Sequence, residues 1–256
     1  MSHDFVDRDR LVAHLDDLLA SDQKDYCPNG LQVEGRREIR RLVTAVSSCE
    51  KLFEEAAALE ADAVMVHHGL FWQGMSPNLV GVQYRRVKAL IEGGMSLIAY
   101  HLPLDRHGEI GNNALAAREG FRLARIEPFA INQGQPIGFK GIFPEPISAS
   151  ELVRRCESFY EQAPLTFLEG PDSVRTLGIV SGGAQRDFYQ AVEEGLDAFI
   201  TGEVSEWVMN IARETGTHYL AAGHYATERC GIRRLGEHVG ERFGVDVRFV
   251  DIPNPV

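Results

Sequence analysis

The chain has only four cysteines among 256 residues, and Cys27, Cys49, Cys156 and Cys230 show no CxxC spacing, so neither a disulfide framework nor a cysteine zinc site is indicated. No apolar run approaches the roughly 20 residues of a membrane span. The opening MSHDFVDRDR is too polar and acidic for a signal peptide, and a cytoplasmic protein is expected. Basic charge is also scarce. Lys plus Arg is 26 against 37 for Asp plus Glu, and the formal charge of −11 disfavours nonspecific nucleic-acid or anionic-membrane binding. The one basic cluster, GRREIRR at 35–41, reads as a solvated loop. A full GxGxxG or Walker pattern is missing as well. SGGA at 181–184, between a strand and a helix, is left as a weak candidate for cradling phosphate on its amides.

What the chain does contain is a copy of itself. RLVTAVSSCEKLFEEAAALEADAVMVHHGLFW (41–72) reappears, weakened, as RTLGIVSGGAQRDFYQAVEEGLDAFITGEVSEW (175–207). With one inserted residue after VS, Phe53 matches Phe188, Ala56 matches Ala191, Asp62 matches Asp197 and Trp72 matches Trp207. Each copy opens and closes on a short apolar run of strand length around a stretch with helical spacing, the pattern of a βαβ unit. MSLIAYHLPLD (95–105) and THYLAAGHYATE (217–228) then each add a strand ending in His-x-x-x-carboxylate. The expected fold is α/β: two related lobes, each with a mostly parallel sheet and flanking helices, with duplicated βαβ units and a central insert. The expected boundaries are 1–124, 125–169 for the insert and 170–256, the lobes packing around one metal site.

In open α/β sheets ligands gather at the carboxyl ends of the strands, and the unusual polar residues fall there. They are His67 and His68, His101 and Asp105, Glu203, and His224 and Glu228. The repeat aligns His68 with Glu203, His101 with His224 and Asp105 with Glu228. Mixed imidazole and carboxylate donors suit zinc, manganese, iron or nickel rather than magnesium or calcium. Adjacent histidines on a regular strand diverge, so His67 and His68 serve together only if the strand has ended or if each meets a different ion. Two ions held by His67, His68, Asp105, His224 and a bridging Glu228 would have about three protein ligands each and an open position for water. His101 is either a further ligand or, the preferred reading because Pro103 bends the following segment, a residue for proton transfer or support of the ligands, and Glu203 is a second candidate for moving protons. Phe71, Trp72 and Trp207 read mainly as packing residues that could also stack on a planar substrate.

VMVHHGLFW, YHLPLD followed by GNNALA, TGE and GHYATE, with PNGLQVEG near the start, together resemble the GTP cyclohydrolase I type 2 homologue family, also called dinuclear-metal-centre hexameric or interacting-factor-3-like proteins. The resemblance implies two related α/β lobes, a toroidal hexamer, and a dinuclear site whose ligands are the same five residues. Two departures stand out: Leu102 occupies the place where many members have threonine, and Ser205, Glu206 and Trp207 replace a histidine pair that often follows the glutamate.

The function expected is hydrolysis by a metal-bound hydroxide attacking a nucleotide-like small molecule. For GTP the resemblance suggests attack at the guanine C8 with release of formate. A metal-dependent phosphoesterase and a non-catalytic, metal-stabilised ring serving as an adaptor are the alternatives.

Overall fold

The computed structural model describes residues 5–256; residues 1–4, the start of the polar N-terminal stretch, lie outside the described residues. The chain divides into two compact units, one running to Leu104 and taking back Gly231–Ile252, the other comprising Asp105–Cys230 and Pro253–Val256.

The first unit holds a short antiparallel pair, β1 (Val6–Asp7) with β3 (Glu38–Ile39), and a five-stranded sheet. That sheet comprises β2 (Gly30–Val33), β4 (Arg41–Ser47), β5 (Ala63–His68), β6 (Ser96–Ala99) and β13 (Asp246–Phe249), in the order β13-β4-β5-β6-β2. All its pairings are parallel except β2 with β6. Its helices include α1 (Arg8–Leu19), α2 (Glu50–Ala58) and α3 (Gly81–Gly93). In α1 the side chain of Asp7 caps the N-terminus by accepting from the Asp9 and Arg10 amides, and Leu11, Leu15 and Leu19 form the buried stripe. The arginines of GRREIRR are exposed or partly exposed and are matched by their own carboxylates, Arg37 with Asp7, Arg40 with Glu38 and Arg41 with Glu60.

The second unit is built on six strands: β7 (Ala124–Asn132), β8 (Gln135–Ser148), β9 (Leu165–Phe167), β10 (Ser173–Ile179), β11 (Ala198–Thr201) and β12 (His218–Ala221), in the order β7-β8-β10-β11-β12-β9. Its centre, β10-β11-β12, is parallel, while β7, β8 and β9 add antiparallel strands at the two edges. The stretch expected as an insert therefore supplies both margins of this sheet. That is why the division falls elsewhere than at 124 and 169: β7 and β8 belong with β10, whereas β13 adds to the first sheet beside β4. The chain leaves the first unit within α4 (Leu102–Arg106) and returns within α10 (Arg229–Phe243). Among the helices of the second unit, α6 (Ala149–Tyr160) is capped by Ser148, whose hydroxyl accepts from the Glu151 amide at 3.2 Å. Only half a capping box forms, because the Glu151 carboxylate turns to Arg154 and Arg155.

The repeat survives as shared hydrogen bonds. Asp62 Oδ2 accepts from the Arg40 and Arg41 amides at 2.8 and 3.0 Å, and its counterpart Asp197 accepts from Arg175 and Thr176, both at 2.8 Å. Each aspartate sits just before its strand and ties that turn to the start of the preceding strand. Each also receives, on its main-chain oxygen, the amide that opens the next strand, Ser96 in one unit and His218 in the other. Phe53 and Ala56, like Phe188 and Ala191, are fully buried. Among the described residues no helix is long and apolar enough to cross a membrane.

Removing either aspartate strands two backbone donors, and Asp62→Ala or Asp197→Ala is expected to cost about 1–3 kcal/mol in urea unfolding. Phe53→Ala or Phe188→Ala, by opening a cavity, should cost about 3–5 kcal/mol.

Candidate metal centre

In the first unit, β5 contains both histidines, His68 being its last residue. At this strand end the two rings nonetheless lie close: their centroids are 4.7 Å apart, and His101 lies 5.2 Å from His67 and 5.6 Å from His68. One donor atom from each of the three imidazoles lies within 4.8 Å of the others, a grouping that could hold a metal ion. His67 is fully buried and His68 partly so. The edge of Trp72 meets His101 at 5.0 Å, so this indole packs on the histidine group.

Each ring is fixed through Nδ1. His67 Nδ1 pairs with the Tyr100 main-chain oxygen at 3.0 Å, His68 Nδ1 with Ser47 Oγ at 2.9 Å, and His101 Nδ1 with Asp25 Oδ1 at 2.6 Å. The Tyr100 main-chain oxygen and the Asp25 carboxylate accept, which keeps the proton on Nδ1 and directs coordination to Nε2, as in most histidine metal ligands; the Ser47 hydroxyl fixes the orientation of its ring. Asp25 was not singled out in the sequence. Its side chain is 2% exposed, and it also accepts from Asn29 Nδ2 and the Leu102 amide, while Asn29 Oδ1 takes the His101 amide. Burial opposes its charge, but the bonds from His101 and Asn29 hold the carboxyl below its ordinary pKa. The one available signal was the turn at Pro28-Asn29-Gly30, which gives no hint that an acid four residues earlier reaches His101. Leu102 contributes its amide to Asp25, and its side chain is buried.

The second unit offers carboxylates. Asp105 and Glu228 are each only 3% exposed, and an oxygen of one lies within 4.8 Å of an oxygen of the other. Two buried carboxylates this close repel unless a cation or proton lies among them. Asp105 Oδ1 accepts from Asn112 Nδ2 at 2.8 Å and from Ser181 Oγ at 2.9 Å, which fixes its orientation. His224 opens the short helix α9 (His224–Thr227) and Glu228 follows it, a spacing of four that puts both on one face. His224 Nε2 and Glu228 Oε2 are 3.3 Å apart, and His224 Nδ1 bonds to Glu203 Oε1 at 2.6 Å. Burial works against a charged imidazole here, yet Glu228 and Glu203 raise its pKa to about 10, so without a metal a proton occupies the place where a cation fits. Glu203 thus bonds to His224 as Asp25 does to His101.

The loop 181–184, a weak candidate for a phosphate cradle, has three of its four amides engaged: Ser181 N–H donates to Asn113, Gly182 to Thr227 and Ala184 to Thr201. Gly182 has a left-handed φ of +68°, and a Cβ there would lie 2.3 Å from Glu228 Oε1 and 3.2 Å from His224 Nε2. Trp207 stacks on Tyr189 at 4.9 Å and 12°, a packing role. His14 stacks on His238, with their Nε2 atoms 2.9 Å apart, and stays outside the candidate donors.

The donors fit a divalent first-row metal: anchored imidazoles in one unit, paired buried carboxylates with an anchored imidazole in the other. Comparison with known proteins agrees with the fold. Residues 6–255 match the Duf34/NIF3 (NGG1p interacting factor 3) family. The chain is 43% identical over 233 residues to the GTP cyclohydrolase 1 type 2 homolog of Pseudomonas aeruginosa, covering 91% of each chain. It is 45% identical over 243 residues to the protein of that name from Salmonella typhimurium, covering 94% of this chain and 95% of the relative. Among solved structures it is similar to protein ybgI, of unknown function, with a TM-score of 0.92 and 41% identity over 98% of this chain and 100% of that one. A protein of Thermus thermophilus gives 0.89 and 37% over the same shares. With nearly its whole length matched and identity well above 30% to several relatives, the chain belongs to the Duf34/NIF3 family.

Proposed function

We propose that this protein is a hydrolase dependent on two divalent metal ions, with His67, His68, Asp105, His224 and Glu228 as ligands and a nucleotide-like small molecule as substrate. The observation that carries the reading is that all four histidines have Nδ1 tied to a fixed partner. The core histidine His218 is also bonded at Nδ1, by the Gly170 amide; what sets the candidates apart is that donor atoms of His67, His68 and His101 lie within 4.8 Å of one another, as do those of Asp105 and Glu228. The name shared by the bacterial relatives, GTP cyclohydrolase 1 type 2 homolog, supports the choice of substrate class. A cytoplasmic homo-oligomer, a hexamer by family resemblance, belongs to the same proposal.

When bound, the ions supply Lewis acidity and water acidified to near neutral pH, while the protein supplies orientation and proton handling. Asp25 holds a proton on His101 Nδ1, which leaves proton exchange with the substrate to Nε2. Glu203 does the same for His224 Nδ1 and keeps its Nε2 directed to coordination. Asn112 and Ser181 orient Asp105 by donating to Oδ1.

Protein purified without added metal or chelator is expected to retain two ions per chain, with fewer in His68→Ala. No retained ion, and none taken up from manganese, zinc or iron, would overturn the reading. Glu203→Gln should weaken metal affinity about 10–100-fold through His224, measured by competition with a chromophoric chelator. Gly182→Ala should lower the metal content without unfolding the chain, because its Cβ displaces the Glu228 carboxylate. His101→Ala separates two roles: metal retained with turnover lost identifies a proton carrier, and metal lost identifies a ligand. Formate released from GTP would support the cyclohydrolase chemistry, and phosphate would favour the phosphoesterase.

A further inference from the structure

The second unit contains a cleft of about 290 Å³ whose lining includes none of the proposed metal ligands. One wall is a face of α6, where Glu151, Arg154, Arg155, Ser158 and Phe159 follow helical spacing. The other wall is the end of a π-helical turn, Ala116–Gly120, followed by Arg122. Turns of this type are uncommon and recur at functional sites.

Three features show a shaped cleft. A Cβ at Gly120 would lie 2.6 Å from Phe159 Cγ, so the aromatic ring rests directly on the backbone of the π turn. Arg155 is pinned by its bonds to the Phe121 main-chain oxygen and to Glu151. Arg122 has a left-handed φ of +55°, unusual for a residue with a long side chain, and among the described residues it makes no hydrogen bond or ion pair. The lining has three arginines against two glutamates, a local positive excess in a chain with a formal charge of −11.

The geometry points to a binding site for a small phosphate monoester, its oxyanion held by Arg122 and Arg154 with the Ser158 hydroxyl, and its organic part against Phe159. Guanidinium forks match phosphate oxygens two at a time, and a dianion gains more than a carboxylate would from a cleft where Glu151 already engages two of the arginines. The volume suits a small metabolite and is far below what a nucleic-acid groove requires. Glu151 acts as the internal competitor, bonding Arg154 and Arg155 at 2.7 Å until an anion draws Arg154 away.

The test is calorimetric titration of the full-length protein with inorganic phosphate and with glycerol phosphate. Both are expected to bind, the ester more tightly, with affinity reduced at least about tenfold in Arg122→Asn and in Arg154→Gln. Asn tolerates the left-handed backbone at 122, and both positions are exposed, so the variants should fold. Glu151→Gln, by releasing two guanidiniums, should tighten binding severalfold, and His68→Ala, in the other unit, should leave it unchanged. Absence of binding in the millimolar range overturns the assignment. So does retention of wild-type affinity in either arginine variant, or loss of affinity in His68→Ala, which would place the anion at the metal ligands.

Discussion

A hydrogen bond to Nδ1 is the constraint on which the candidate centre rests. An imidazole on the surface turns about two side-chain torsions and exchanges tautomers, and each freedom lost on coordination is paid from the binding energy. In this protein those freedoms are removed during folding. Tyr100 anchors His67 with a main-chain oxygen, Ser47 anchors His68 with a hydroxyl, and Asp25 and Glu203 anchor His101 and His224 with carboxylates. The partners differ in strength. The two carboxylate bonds, both at 2.6 Å, are the shorter and charge-assisted ones, and they hold their rings more firmly than a hydroxyl can.

These anchors depend on the sheets. Ser47 is the last residue of β4 and His68 the last of β5, and the parallel register sets them side by side. Tyr100 follows β6, its amide bonded to the Val66 oxygen, so its own main-chain oxygen falls beside His67. The polar residues therefore sit where the strands stop and the ladder no longer consumes main-chain groups, which is also where an open α/β sheet leaves room for a ligand. The aspartates before β5 and β11 fix the opposite ends of the same strands, so stability and site occupy the two ends of each strand.

Much of this was legible in the sequence because it depends on local pattern. The βαβ repeat, the polar residues at or just past the strand ends, His68 and Glu203, and the spacing of four between His224 and Glu228 follow from periodicity and alignment within the chain. The margins of the second sheet were not. β8 lies in the stretch expected as an insert, and its place beside β10 is a pairing that no local pattern specifies. Asp25 was missed for the same reason: it is 76 residues from His101, in an irregular stretch without periodicity. The SGGA turn, a weak candidate in the sequence, is the opposite case. Its composition fits an anion cradle, but side chains of Asn113, Thr227 and Thr201 reach its amides first.

The repeat also explains why the two units offer different donors. His101 and His224 occupy equivalent positions, but their carboxylate partners do not: Asp25 comes from ahead of the repeat, whereas Glu203 stands where the first copy has His68. With a carboxylate rather than an imidazole at that position, the second unit has one nitrogen donor fewer there, and His224 has an anchor from within the repeat itself. The first unit thus presents nitrogen donors, while the second presents Asp105 and Glu228 with a single imidazole. Buried carboxylates favour a cation and imidazoles a borderline one, which is the basis for proposing a divalent first-row metal rather than magnesium or calcium.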